Sequence, residues 1–263
     1  MNIIVCIKQV PGTTQVEVDP VTGVLKRDGV ASKMNPYDLF ALEAAFRIRE
    51  EVGGKITALS MGPNQAIPTL LEAVYMGADE GVLLCDRKFA GADVHATSYA
   101  IKSGIEKIGD YDLILCGKQT TDGDTAQVGP ETAEWLGLDH ATNVSSIDRV
   151  EEDGITVTFS LDDCVQTQKM AFPCLLTVEK DAFTPRLPSY KRKASLKAED
   201  CIRVYTAADI LGLDESLCGL KGSPTQVERI FPPAKNKEKE IFLGEGKELA
   251  SALFGLLRKR KFL

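Results

Sequence analysis

Several features that mark common protein classes are missing from this chain of 263 residues. No run of about 18 apolar residues is present, so the sequence predicts no membrane-spanning helix. Seven cysteines without a CxxC pair, and only two histidines, argue against a zinc or iron–sulfur site. A net charge of −7 argues against general nucleic-acid binding. Unpaired cysteines, and an N-terminus that enters an apolar strand without signal-peptide flanks, predict a cytoplasmic protein.

The usual motifs of resident catalytic chemistry are missing as well. No GxGxxG follows a predicted strand, and neither GxxxxGK[ST] nor GxSxG occurs. His95 falls in the first turn of a predicted helix and His140 in a predicted loop, where structural or solvated roles are expected. Asp122 and Asp124 could suggest magnesium, but caps and hydroxyl acceptors are commoner roles for such carboxylates, so no metal site is predicted. The sequence therefore offers no acid, base or nucleophile of its own.

What is present is a regular alternation of strands and helices over the first half of the chain. Strands are predicted at 3–7, 55–61, 82–85 and 111–116, and helices at 36–52, about 64–76, 93–108 and 130–136. Asn35 and Pro36 suit the N-cap and first position of the first helix, and Gly53 suits its end. This alternation predicts an α/β fold with a parallel-core sheet and flanking helices, Rossmann-like but without GxGxxG.

The second half has a different pattern. Antiparallel strands are predicted at 143–150, 154–161 and 163–170, and a core strand at 173–178. A separate hairpin is predicted near the N-terminus, at 16–19 and 24–27. A helix at 247–260 carries leucines at helical spacing, which must pack on its own domain or on another subunit. We predict an α/β nucleotide-binding domain at 1–200, including a basic loop at 180–200. Residues 201–263 are predicted to form an extended arm whose terminal helix packs on a partner subunit.

The central stretch Leu113–Leu136 reads LILCGKQTTDGDTAQVGPETAEWL. It combines a buried strand, a loop rich in Gly, Thr and Asp, and a helix N-terminus, which together suit an anion such as phosphate. An ordinary connection with Asp124 or Thr125 as N-cap uses the same residue types and stays open. Ligands of parallel sheets bind at the carboxyl ends of strands, which groups residues 6–8, 60–62 and 117–119 on one rim. That grouping favours a nucleotide-type ligand whose own chemistry the protein uses.

The same segments resemble the beta subunit of electron-transfer flavoproteins over essentially the full length. The motifs that carry the resemblance are VCIKQVP at 5–11, MNPYD at 34–38 with LEAA at 42–45, MGAD at 76–79 and GKQTTDGDTAQVGP at 117–130. The resemblance implies a heterodimer with an alpha subunit that carries its own FAD.

It also implies a nucleotide site on the rim. Cys6 and Lys8 would flank the adenine, Met61 would lie against the nucleotide, and residues 117–128 would wrap the ribose and phosphates. The implied cofactor-binding residues are Cys6, Lys8, Asn35, Pro36, Tyr37, Asp38, Met61, Gly117, Lys118, Gln119, Thr120, Thr121, Asp122, Gly123, Asp124, Thr125, Ala126, Gln127 and Val128. No side chain is assigned a catalytic role.

The loop after Gln119 is similar to that of members that bind a second FAD and carry out flavin-based bifurcation with NADH. In that scheme one electron reaches a low-potential acceptor such as ferredoxin, and the other passes through the alpha-subunit flavin to an acyl-CoA dehydrogenase. The loop at 185–197 corresponds to the family's docking loop for that dehydrogenase, although on composition alone it could be merely solvated. The alternatives are a non-bifurcating subunit with structural AMP, or a non-redox adenine-nucleotide-binding module.

Overall fold

The computed structural model describes residues 1–12, 32–228 and 240–263. In these ranges a nine-stranded sheet has the order β11-β5-β4-β1-β6-β10-β7-β8-β9. Its strands are β1 Asn2–Cys6, β4 Lys55–Met61, β5 Glu80–Leu84, β6 Leu113–Gly117, β7 Asp139–Val150, β8 Gly154–Ser160, β9 Val165–Ala171, β10 Cys174–Val178 and β11 Ile202–Tyr205. Two short strands, β2 Gln9–Pro11 and β3 Ser32–Met34, pair separately. The hairpin predicted at 16–19 and 24–27 lies outside the described residues.

The sheet is parallel from β11 to β7 and antiparallel from β7 to β9. This confirms the predicted parallel core with added antiparallel strands. The predicted strand at 55–61 matches β4 at both ends. It is bounded by Gly54 and Gly62, and five successive interior residues are buried, which is the pattern of a central strand.

Helices cover both faces of the sheet. They are α1 Pro36–Val52, α2 Ile67–Met76, α3 Val94–Ile108, α4 Val128–Leu136, α5 Tyr190–Ser195, α6 Ala198–Cys201 and α7 Gly246–Lys259. Pro36 stands at the start of α1, and Gly53, at φ 73°, ends it as predicted. One core layer joins the sheet to α1 and α2, and the other joins it to α3 and α4.

The layer on the α3 side includes an aromatic contact between two helices. Trp135 of α4 lies between His95 and Tyr99 of α3, with ring centroids 5.2 Å from each. The Tyr99 hydroxyl in turn accepts a hydrogen bond from the Asp214 amide, at 2.9 Å. His95 therefore lies in the first turn of α3, as predicted, and its ring packs against another aromatic side chain.

The C-terminal region begins inside the sheet. Strand β11 pairs with β5, and Ala207, Ile210 and Cys218 are buried in the layer on the α3 side. In α7, by contrast, no residue is buried. The division into a domain at 1–200 and an arm at 201–263 stays a prediction. No helix in the described ranges is both long and apolar enough to cross a membrane.

Candidate functional site

The rim of the sheet brings together the three segments that the sequence grouped. Strands β4, β1 and β6 are neighbours, and Cys6 is in register with both Leu59 and Cys116. Cys6 and Met61 pack against the core layer to which Cys116 belongs, so all three line one face at the carboxyl ends of the strands. A hydrogen bond with Cys6, together with burial, raises the pKa of the Cys116 thiol well above its usual value. The surface formed by Cys6, Met61 and Cys116, called the Cys6–Met61–Cys116 floor below, is therefore uncharged at Cys116.

Asn35 occupies the predicted N-cap position of α1, but its side chain makes no capping hydrogen bond. Instead Nδ2 donates to Asp38 Oδ1 at 2.8 Å and to the Gln119 carbonyl at 2.9 Å. Oδ1 accepts from the Thr121 amide at 3.2 Å. Asn35 therefore ties the start of α1 to the loop that follows β6.

Further side-chain contacts hold that loop over the rim. Lys8 Nζ lies 2.7 Å from Asp122 Oδ1. Gln119 Nε2 donates to the Tyr37 hydroxyl at 3.3 Å and also to the Asp124 carboxylate. Partial burial raises the pKa of Asp122, but the hydrogen bond and charge of Lys8 outweigh it, so the pKa of this carboxyl lies below its usual range.

The backbone of the loop leaves amides available. Helix α4 begins at Val128, two residues before the predicted start at Pro130, and its N-cap residue Gln127 makes no side-chain cap. Asp124 and Thr125 are therefore not its N-cap, and that interpretation is wrong. Within the described ranges, the amides of residues 125–129 donate to no protein acceptor. Because the positive end of a helix and unpaired amides favour an anion, this is the natural place for a phosphate.

Two glycines let the loop backbone approach the fold closely. A Cβ on Gly117 would lie 2.4 Å from Asp38 Oδ1, and one on Gly129 would lie 2.6 Å from Thr177 Cγ2. Asp124 and Ala126 adopt positive φ angles of 55° and 56°, which non-glycine residues seldom do outside sites that require them. The loop is thus held in a specific and partly strained path.

Some site features differ from the sequence expectation. Lys118 Nζ pairs with Glu179 Oε2 at 2.7 Å, just after β10. Glu179 at this site was not predicted, whereas Ser60 and Gly129 lie in segments that the sequence placed at the rim, although neither was named as a binding residue. The Ser60 hydroxyl is buried at the end of β4 without a hydrogen-bond partner among the described residues. Glu179 carried no sequence signal, because its place at the rim depends on the pairing of β10 with β6.

The remaining predicted residues lie on these segments: Pro36 and Tyr37 at the start of α1, the half-buried Thr120 after β6, and the exposed Gly123 and Thr125 in the loop. The Gly123 amide donates to Thr120 Oγ1 at 3.3 Å, a turn that folds the loop on itself. The arrangement can hold an elongated anionic ligand, with backbone amides at one end and the Cys6–Met61–Cys116 floor beneath.

Comparison with known proteins agrees with this geometry. Residues 22–202 match the model of the electron transfer flavoprotein domain. The chain is 47% identical over 260 residues to the electron transfer flavoprotein subunit beta of Thermoanaerobacterium thermosaccharolyticum, covering 99% of each chain. It is 42% identical over 265 residues to the caffeyl-CoA reductase-Etf complex subunit CarD of Acetobacterium woodii, covering 100% of each. It is also 42% identical over 268 residues to protein FixA of Azorhizobium caulinodans, covering 99% of this chain and 95% of the relative. The chain therefore belongs to the electron transfer flavoprotein family, as a protein of the beta-subunit type.

Proposed function

We propose that this protein is the beta subunit of a bifurcating electron-transfer flavoprotein, which binds FAD at the rim of the sheet and pairs with an alpha subunit. The observation that carries the proposal is the set of amides at residues 125–129, which open at the N-terminus of α4 beside the strand ends. A cluster of such donors at a helix N-terminus can bind the phosphates of a nucleotide.

The residues present fit a flavin nucleotide. Asp122 is neutralised by Lys8, so the loop presents less negative charge to a diphosphate than its sequence suggests. The Cys6–Met61–Cys116 floor offers a soft, apolar surface to a flat ring. FAD held there would supply the hydride and one-electron chemistry that links NADH to a low-potential acceptor such as ferredoxin and to the alpha-subunit flavin. The protein's own task is to grip the diphosphate, orient the ring and exclude water from beneath it.

The basic loop supports a docking role for an acyl-CoA dehydrogenase, and the name of the CarD relative supports a reductase complex. Arg186 and Arg192 are engaged within the fold, on Glu43 and on the carbonyls of Val74 and Ala78. The exposed side chains of the loop include the apolar Leu187 and the aromatic Tyr190, which are 88% and 83% exposed. Exposed apolar and aromatic side chains grouped on one loop are typical of a protein-docking surface.

The terminal helix supports pairing with an alpha subunit. Leu249 and Leu253 of α7 lie four residues apart on one face of the helix and are 37% and 56% exposed. Such a face is stable in water only when something covers it.

The test is to express the chain together with its alpha subunit and to count the flavins. We expect two FAD per heterodimer, one of which NADH reduces. Thr125→Phe places a large ring at the exposed amide cluster and should empty the beta site while the alpha flavin stays bound. Thr125→Ser is the matched control and should keep both.

Three other results would overturn parts of the proposal. One FAD together with released AMP would indicate a non-bifurcating subunit. Adenine nucleotide released from a colourless complex would indicate a non-redox module. Unchanged flavin content in Thr125→Phe would reject the loop as the binding site.

A further inference from the structure

A buried carboxylate, Asp38, lies at the centre of the rim. Its side chain belongs to a residue that is 4% exposed. Oδ2 accepts from the Lys8 amide at 2.7 Å, and Oδ1 accepts from Asn35 Nδ2 at 2.8 Å. The backbone of Gly117 lies against Oδ1, so close that a Cβ there would be 2.4 Å away. Asp38 thus contacts the ends of β1 and β6 as well as the start of α1.

The carboxylate also sets the orientation of Asn35. An amide side chain can be placed two ways, with its NH₂ and its oxygen exchanged. An ionised Asp38 Oδ1 can only accept a hydrogen bond, so the Nδ2 of Asn35 must face it. The Oδ1 of Asn35 is then directed at the Thr121 amide. The same Nδ2 reaches the Gln119 carbonyl. The position of residues 119–121 therefore depends on Asp38 through Asn35.

The charge of Lys8 acts on Asp38 and favours its ionised form, but it does so without a direct ion pair. The Lys8 ammonium is directed at Asp122, and the described residues include no ion pair to Asp38. Cys6 and Cys116 are the other titratable groups nearby, and Cys116 stays neutral because its pKa is raised. Asp122 stays ionised because its pKa is lowered. The N-terminus of α1 favours the carboxylate, yet burial is the stronger effect and raises the pKa of Asp38 to about 7.

We propose that Asp38 is a positioning residue for the nucleotide site: its carboxylate, acting through the Lys8 amide and Asn35, holds the loop at residues 119–121 in the binding geometry. Nucleotide affinity is therefore coupled to the charge on Asp38. When the carboxyl takes up a proton, it loses its negative charge and the protonated oxygen becomes a poorer acceptor, so the hydrogen bond from the Lys8 amide or from Asn35 Nδ2 is weakened. The loop then loses its fixed attachment. This inference rests on the proposed nucleotide-binding function.

The experiment measures FAD binding to the heterodimer, stripped of its beta-site nucleotide, by calorimetry between pH 5.5 and 8.5. In the unmodified protein we expect Kd to rise roughly tenfold per pH unit below about 7 and to level off above it, as for one linked proton. Asp38→Asn keeps the size of the side chain but has no charge to lose. It should bind FAD at least tenfold more weakly at pH 8, with a flat pH profile.

Asp112→Asn is the matched control. Asp112 also accepts a hydrogen bond from a β1 amide, Asn2 at 2.6 Å, but at the opposite end of the sheet. It should reproduce the affinity and pH profile of the unmodified protein. Circular dichroism at each pH checks that the variants are folded. Should Asp38→Asn not fold, Asn35→Ser and the profile of the unmodified protein decide the matter, since Asn35→Ser removes the link from Asp38 to the loop and should weaken binding at pH 8.

The outcomes separate the two proposals. If the unmodified protein binds no FAD at any pH, the proposed function fails. If it binds FAD with an affinity that does not change from pH 5.5 to 8.5, or if Asp38→Asn matches it in affinity and profile, only the role of Asp38 is rejected.

Discussion

The ion pair between Arg186 and Glu43 leads to a prediction about stability. Glu43 lies on α1 with its side chain 5% exposed, and it accepts hydrogen bonds from the Arg186 backbone amide, Nε and Nη2 at 3.1, 2.9 and 3.1 Å. The guanidinium also lies over the Phe46 ring, 4.7 Å from its centroid. Arg186→Met keeps most of the apolar contact and removes the charge, so Glu43 is left buried with Arg47 as its remaining cation.

The expected loss of stability follows from that geometry. Removing one partner of a fully buried pair costs about 3–5 kcal/mol. Arg186 is about one-third exposed, and both Arg47 and the backbone amide remain, so we expect roughly 2 kcal/mol, measured as the free energy of unfolding in urea. For a chain of this size that corresponds to a melting temperature lower by roughly 5 °C.

The pH dependence provides a second check. Burial raises the pKa of Glu43, but the hydrogen bonds from Arg186 outweigh it, so the pKa is lowered overall. The pair therefore stabilises the fold above the ordinary pKa of 4.5, and this stability is lost as the pH falls through the lowered value. In Arg186→Met burial dominates, so the stability gap between the two proteins should widen from pH 4 to pH 7.

A double-mutant cycle with Glu43→Gln isolates the pair. We expect Arg186→Met to cost much less in the Glu43→Gln background, because no buried charge is then left unpaired. Equal costs in both backgrounds, or a stability gap that is constant with pH, would refute the reasoning.

Three further predictions concern the rim, the terminal helix and the basic loop. Burial raises the pKa of Asp38 from 3.8 to about 7, so the protonated carboxyl contributes roughly 4 kcal/mol to the stability of the nucleotide-free protein relative to the ionised one. This contribution is complete below pH 3.8 and is lost as the pH rises through about 7. The melting temperature of Asp38→Asn should therefore rise relative to the unmodified protein from pH 5 to pH 8, and a constant difference would contradict this. Deleting residues 246–263 should reduce co-purification with the alpha subunit; full recovery would show that the apolar face of α7 needs no partner. Leu187→Ala with Tyr190→Ala should slow electron transfer to the dehydrogenase without changing flavin content, and an unchanged rate would place the docking surface elsewhere.

Strands and helices whose signals are local were predictable. Strand β4 is bounded by glycines and is rich in apolar residues, and α1 has Pro36 at its start and Gly53 at its end. Strand β11 was missed because Ile202–Tyr205 is short and partly exposed and lies at the sheet edge, so it lacks a buried strand's apolar run. Its pairing with β5 is a long-range contact that no local pattern encodes.

The site shows the same limit. The GKQTTDGDTAQVGP motif identified the loop, but not where α4 begins. Gly129 is a poor helix former, so the sequence places the start at Pro130; in the fold the helix begins at Val128, and its first turn packs so close to Thr177 that only glycine fits at 129. Asn35 has the right type for a cap, yet its side chain bonds to Asp38 and the loop. Hydrogen bonds to residues brought near by the fold therefore replace the capping bond that the position of Asn35 in the sequence favours.

The contact of Trp135 with His95 and Tyr99 has a practical consequence. The chain has one tryptophan, and it stands on α4, the helix whose other end carries the candidate phosphate-binding amides. All ultraviolet emission from indole therefore originates at a single known position a few helical turns from the rim. A yellow chromophore seated there would absorb that emission, so the brightness of the protein itself reports whether the rim is filled, without any attached dye.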